Sequence, residues 1–202
     1  SENKVHLLDG YISYTRFAKW AKITIGQFKS PISLEQNTAC SGLYTVERSE
    51  VVKQLAGPQR DLGLMISGGH DSLKFQYALA LMNGSGMNNR EDNSNKNIVG
   101  RVVVGPFKGL KVGGSFKVGG MNPTDPAERL NNIYRVAAEA QFNWKGLLLQ
   151  GEYIYGQDKL YSASKVPIYG GCGGIVGFET KQPGTYHKDG AWVIASYRTK
   201  YN

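Results

Sequence analysis

Long apolar runs, cysteine, histidine and helix-forming stretches are all scarce in this chain. No run reaches about eighteen apolar residues, so no transmembrane helix is encoded. Only two cysteines occur in 202 residues, Cys40 and Cys172. That excludes a disulfide-dense scaffold; one bridge and two separate thiols both fit the count. Of the three histidines, His6 and His187 stand in no ligand spacing with each other or with the cysteines, so no metal site is expected. Stretches of Ala, Leu, Glu and Lys with helical period are few, which argues against a bundle. Acidic residues number 16 against 24 basic ones, a net charge of +8. The imbalance favours anionic partners. Nucleic acid is not expected among them, because neither a basic helix nor zinc-finger spacing is present.

Catalytic patterns are missing too. His70-Asp71 sits in a short turn without a nucleophile. Gly170 to Gly174 lacks the helix and Lys-Ser/Thr of a phosphate-cradling loop. Asp125 lacks the alternating spacing of a calcium loop. No enzyme and no cofactor is expected. A basic-apolar-small leader is absent at Ser1, and so is an initiating Met. The expectation is a processed chain or a piece of a longer one.

What the chain does have is glycine (26), tyrosine (12) and alternation. Period-two segments run over Asp9–Tyr14, Ala21–Gln27, Leu62–Ser67, Lys74–Asn83, Ile98–Val104, Leu110–Val118, Ile133–Phe142, Leu147–Tyr155 and Ala191–Lys200. That is about nine strands, with a further short one near Ile175–Phe178. The connections alternate in length. Short ones include 68–71, a tight Gly105-Pro106 turn and 143–146. Long ones are 29–60, 84–96, 119–131 and 157–189. Outer-membrane barrels have this asymmetry, with tight periplasmic turns and long extracellular loops.

Charge and bulk sort by parity. One parity carries Leu, Ile, Val, Phe and Tyr. The other carries Lys22, Lys74, Arg101, Lys111, Lys117, Arg135, Arg198 and Lys200 against Asp9, Glu139 and Glu152. In a soluble barrel the apolar parity faces inward; in a lipid-embedded one it faces out. The number of large apolar side chains, the small residues Gly26, Gly63, Ala78, Ala80 and Gly113 among the charged parity, and Tyr14, Tyr153, Tyr155 and Tyr197 at strand ends favour the lipid-embedded arrangement. The fold class is therefore all-β, an antiparallel transmembrane β-barrel. The stretch 29–60 is too long for an ordinary hairpin loop. It holds Leu34, Leu43, Tyr44, Val46, Val51, Val52 and Leu55 together with Lys29, Arg48, Lys53 and Arg60. It reads as a loop folded into the lumen to constrict it.

Several pieces resemble one family, the phosphate-selective porins O and P of Gram-negative outer membranes. They are GQFKSPISLE (26–35), VERS (46–49), RDLGLMISG (60–68), LKFQYALALMNGSG (73–86) and IVGRVVVGPFKGLKVGGSF (98–116), with weaker echoes in GEYIYG (151–156) and GAWVIASY (190–197). The resemblance implies a sixteen-stranded barrel, usually trimeric, with its third long loop in the pore. With about nine strands and the in-folded loop coming first, residues 1–202 are expected to be an interior portion of such a barrel. Phosphate-selective members carry a lysine soon after the Leu-Glu of that first piece, with ligating serines nearby. Here Gln36, Asn37, Thr38, Ala39 and Cys40 follow Glu35, and Ser41 alone could stand in for a serine.

The resulting expectation is passive diffusion of small anions, phosphate-like or other, through a basic lumen in the bacterial outer membrane. The expected anion contacts are Lys22, Arg48, Lys53, Lys74, Arg101, Lys111, Lys117 and Arg135. For each of them a solvated or salt-bridged wall residue is the competing reading; Arg48, beside Glu47 and Glu50, could equally pin the loop. Expected partners are the anions, outer-membrane lipid and lipopolysaccharide, and two further copies in a homotrimer. The alternatives are a plugged structural barrel that serves as a scaffold, and a soluble β-sandwich binding domain.

Overall fold

A computed structural model of the chain describes residues 7–17, 20–70, 74–89, 95–121, 131–169 and 175–199. His6, Asp71, Asp125, Gly170 to Gly174 with Cys172, and Lys200 lie outside them, and so does the relation of Cys40 to Cys172.

Nine strands form one antiparallel sheet: β1 (Gly10–Phe17), β2 (Ala21–Lys29), β3 (Arg60–His70), β4 (Phe75–Met82), β5 (Asn97–Phe107), β6 (Leu110–Met121), β7 (Asn131–Trp144), β8 (Leu147–Leu160) and β11 (Gly184–Tyr197). Each pairs with the next in this order, so β1 and β11 are the edges and the sheet is not closed on itself. A separate hairpin, β9 (Ser164–Tyr169) with β10 (Ile175–Lys181), stands between β8 and β11. Two short helices, α1 (Leu34–Asn37) and α2 (Glu50–Leu55), lie between β2 and β3.

The alternating segments are strands, but several bounds differ. Gly105-Pro106 is not the turn. Both residues belong to β5, where the register shifts between Val104 and Phe107, and the turn is Lys108-Gly109. A bulge accommodates the proline, which lacks a ladder donor. Lys74 precedes β4 with φ of 52° and is a turn residue. The stretch 157–189 is not one loop. β8 continues to Leu160, β11 starts at Gly184, and the hairpin fills the interval. These extensions put Lys159, His187 and Asp189 on the apolar parity, beyond the alternation that marks the strand in sequence.

Exposure follows parity. Leu62, Leu64, Ile66, Phe75, Leu79, Leu81, Ile98, Val102, Phe116 and Val118 are all exposed, whereas Thr24, Asp61, Ser115, Lys117, Arg135, Glu139 and Glu152 are buried. Bulky apolar side chains thus cover the outer wall. Near its long-loop end the tyrosine hydroxyls find polar partners: Tyr153 donates to Asp189 at 3.1 Å, and Tyr155 meets His187 Nδ1 at 2.7 Å. This is how an interfacial tyrosine behaves, with an apolar body and a wet tip.

The inner face is not uniformly polar. Phe28, Ala80, Met82, Val99, Ala137, Ile154 and Trp192 form an apolar patch on it, and Ile32, Val52, Leu55 and Ala56 bury that patch. Burying a residue such as Leu55 or Val52 is worth about 1.5–3 kcal/mol. Glycines on the wall make room: a Cβ on Gly156 would lie 2.9 Å from Leu55 Cδ2, and one on Gly190 would lie 2.9 Å from Val51 Cγ2.

Polar contacts fix the seat. Glu152 accepts from Ser33 Oγ at 2.8 Å, Leu34 N at 3.1 Å and Trp192 Nε1 at 3.2 Å. Ser33 N donates to Ser115 Oγ at 3.1 Å. Lys117 donates to the Gly57 carbonyl at 2.7 Å, and Arg135 to that of Leu55 at 3.2 Å. The chain between β2 and β3 is therefore held against the wall at both of its helices.

Two outcomes are expected. Leu79→Arg, on the outer wall, should cost about 2–4 kcal/mol near a bilayer midplane, while Gln76→Arg on the inner parity should cost far less; urea titration of folding into liposomes measures both, and equal costs would invert the assigned faces. Glu152→Ala leaves three donors without their acceptor, at about 1–3 kcal/mol for a buried unsatisfied group. Proteinase cleavage between residues 39 and 47 should then speed up severalfold, with Glu152→Gln restoring part of the protection.

Candidate functional site

Three cavities run along the inner face, joined by shared lining residues. The first, of about 540 Å³, is bordered by Asp9, Tyr11, Lys22, Lys29, Asn37 and Arg101. The second, of about 110 Å³, lies between Leu34 of the in-folded segment and the wall residues Arg101, Lys111 and Glu139. The third, of about 570 Å³, is at the tight-turn end, with Lys74, Lys108 and Lys111 on its border. Gln76 and Val103 border all three. A narrow space thus separates two wide ones, and α1 supplies one side of it.

Why α1 sits there follows from its local contacts. Ser33 has φ of 68° and caps the helix through its hydroxyl, which accepts from Gln36 N at 3.2 Å. The Gln36 side chain donates to the Ala56 carbonyl at 2.6 Å, and that of Asn37 donates to the Ile32 and Ser33 carbonyls at 2.9 and 2.8 Å. Glu35 accepts from Ser49 N and Oγ at 2.9 and 2.7 Å. The residues just after Glu35 are therefore occupied in folding the loop on itself.

The eight cations expected from sequence fall into two groups. Four are engaged in architecture. Arg48 is buried and donates to the carbonyls of Glu35 and Thr38 at 3.2 and 2.7 Å. Lys53 pairs with Glu50 at 2.9 Å and Glu47 at 3.2 Å. Hydrogen bonds to those carboxylates raise the Lys53 pKa above its ordinary value. The Glu50 carboxyl is lowered in turn, first by Gln54 and then by Lys53. Lys117 is buried on the Gly57 carbonyl. Arg135 pairs with Asp158 at 2.6 Å.

The other four border the cavities. Arg101 makes a two-point ion pair with Glu139, one arm 3.1 Å long, at the narrow space. Lys111 borders the narrow and the tight-turn cavities, and Lys74 borders the latter. Lys22 borders the first cavity and, among the described residues, has no ion pair.

Sequence reasoning left Lys29 out of the expected contacts. It ends β2, where the chain leaves the sheet and parity ceases to decide direction. Its ammonium lies against the first cavity, donating to the Thr38 and Asn37 carbonyls at 3.1 and 3.4 Å. Its presence in the stretch 29–60 was the available signal. Asp9, the acid bordering the same cavity, is bound by Arg60 through two contacts of 2.9 and 3.0 Å.

Among the described residues no cluster of three or more metal-ligating side chains occurs, and no helix is long and apolar enough to cross a membrane. The wall greets lipid with its strands instead. No curated protein and no solved structure matches the chain. One family model does, that of phosphate-selective porin O and P, over residues 1–170. That span takes in the in-folded segment and eight strands of the sheet. Members of this family are bacterial outer-membrane channels. An antiparallel wall with apolar side chains on its outer face and polar ones within is consistent with part of such a barrel, and the chain belongs to the phosphate-selective porin O and P family.

Proposed function

We propose that this porin passes small anions by passive diffusion, phosphate-like solutes among them, and that the segment 29–60 is its constriction loop. The observation that carries the reading is the charge around the first cavity. Lys22, Lys29 and Arg101 border it, and its one acid, Asp9, is neutralised by Arg60. A solute moving inward would next meet Arg101 and Lys111 at the narrow space, then Lys74 at the tight-turn end.

The magnitudes suit transport. A unit charge about 4 Å from another is worth about 1 kcal/mol in bulk water and about 4 kcal/mol at an effective dielectric of 20. A narrow lumen lies between these limits. Preference is then severalfold to about a hundredfold, and binding stays weak enough for release. In this reading Arg48, Lys53, Lys117 and Arg135 serve the anion indirectly, by keeping the loop where it narrows the path. Gln36 to Cys40 bring no lysine to the solute. Discrimination therefore rests on charge more than on a dedicated ligand set. A homotrimer surrounded by lipid and lipopolysaccharide is the assembly that accompanies the reading.

The plugged-barrel alternative draws on the packing of the loop, and conductance distinguishes the two. In planar bilayers under a salt gradient, the reversal potential should have the sign of anion preference. Lys22→Glu with Lys29→Glu should lower the anion-to-cation permeability ratio severalfold, and Lys165→Glu on the hairpin should change it little. A cation-selective parent, or a double variant with an unmoved reversal potential, would refute the role given to these lysines. Absence of conductance would favour the plugged barrel.

A further inference from the structure

The tight connections carry a second regularity, of which the solute path proposed above uses Lys22, Lys74 and Lys111 and leaves Arg16 and Lys145 aside. Within four residues of these turns lie Arg16, Lys22, Lys74, Lys108, Lys111 and Lys145, and no carboxylate occurs there among the described residues. Sequence adds one acid, Asp71, in the connection between β3 and β4. The carboxylates of the wall begin farther in, with Glu139 and Glu152 five residues from the tight-turn ends of β7 and β8.

The turn lysines also occupy positions that turn chemistry would assign elsewhere. Lys74 has φ of 52° and Lys145 φ of 47°, both in the left-handed region. The β7–β8 hairpin has a two-residue turn with positive φ at both centres, Lys145 and Gly146, and such turns prefer Asn, Asp or Gly at the first of them. Lysine gains nothing from that backbone, since it lacks the short side chain that bonds back locally. Lys108-Gly109 and Lys145-Gly146 repeat the same pair on neighbouring hairpins. Beside them the aromatic residues are open: Trp20 is 72% exposed, Phe107 72% and Trp144 55%. The Lys145 ammonium lies 4.9 Å from the Trp144 ring centroid.

We propose that the tight-turn rim is a docking surface for anionic phospholipid headgroups of the periplasmic leaflet, with Lys108 and Lys145 meeting the phosphodiester and Trp144 and Phe107 seated at the acyl boundary. Short turns of such barrels face the periplasm, at the level of that leaflet's headgroups. Basic side chains at an anionic membrane surface each add a modest, additive attraction. Exposed aromatic rings prefer the same level. Charge complementarity selects the anionic lipid over a zwitterionic one. The proposal rests on the orientation of the outer wall and not on anion preference in the lumen, so a cation-selective pore would leave it standing.

The test uses the full chain in detergent micelles with phosphatidylglycerol or phosphatidylcholine added, read by native mass spectrometry. The parent should retain phosphatidylglycerol over phosphatidylcholine. Lys108→Asn and Lys145→Asn should each lower that retention about fivefold, the worth of one lysine near an anionic surface. Because asparagine suits the turn, the thermal midpoint of Lys145→Asn should hold or rise as lipid retention falls, so misfolding cannot imitate the result. Millimolar inorganic phosphate should not displace the lipid. Equal retention of the two lipids by the parent, undiminished preference in the double variant, or displacement by phosphate would each overturn the assignment; the last would make the rim a solute site.

Discussion

An apolar patch on a wetted wall has to be covered, and that constraint arranges most of this molecule. Ala137, Ile154, Val99 and Trp192 point to the inner face. Left bare, they would line water. The segment between β2 and β3 covers them with Ile32, Val52 and Leu55, and in doing so it is drawn across the lumen side. Its place on the inner face is then a consequence of shielding, and the proposed narrowing of the path would follow from it. Position is refined by hydrogen bonds, because hydrophobic contact has no direction. Glu152 provides that refinement by joining Ser33, Leu34 and Trp192 at one carboxylate.

Glu152 faces Glu139 directly across the β7–β8 ladder. Like charges so placed repel. The wall separates their fates: Glu139 takes Arg101, and Glu152 takes the donors of the loop. Pairing one acid with a cation and the other with the loop ties the loop to the wall charges beside it. Displacing the loop would expose the apolar patch and leave a carboxylate without its donors at once. A single favourable term could be lost and the loop retained; losing both together makes the seat cooperative.

The sheet was legible because its signal is local. Parity, tight turns and long loops all follow from period two, and nine strands and their outward faces emerge from it. What escaped involves contacts between distant parts of the chain. The Gly105-Pro106 pair resembles a turn in isolation, and only the register of β5 on β6 makes it a bulge. Of the hairpin, β10 overlaps the short strand expected near Ile175–Phe178, whereas β9, interrupted by Pro167, gives too weak an alternation to separate from loop. Among the cations, Lys117 and Arg135 look like any other inward lysine or arginine. Their ties to Gly57 and Leu55 span 60 and 80 residues, beyond any pattern along the chain. Arg48 is the converse case: its flanking acids suggested a pin, and the structure binds it to carbonyls instead.

Height along the wall therefore decides what a positive charge does. In the long-loop half, arginines and lysines find carboxylates or carbonyls within reach and hold structure: Arg60 on Asp9, Arg135 on Asp158, Lys117 on Gly57. Toward the tight turns Lys74, Lys108 and Lys111 border the cavity at that end. Arg101 stands where the two regimes meet, paired with Glu139 yet bordering both the first cavity and the narrow space. A fully paired cation attracts an approaching anion weakly, and an unpaired one would hold it too long. Under the proposed anion passage a pair at the narrow space lies between these extremes, because an anion could share the guanidinium's remaining donors without displacing the carboxylate. For the anion passage proposed above, a charge preference with fast release needs that intermediate grip, and the Arg101–Glu139 pair at the narrow space is the group that would offer it.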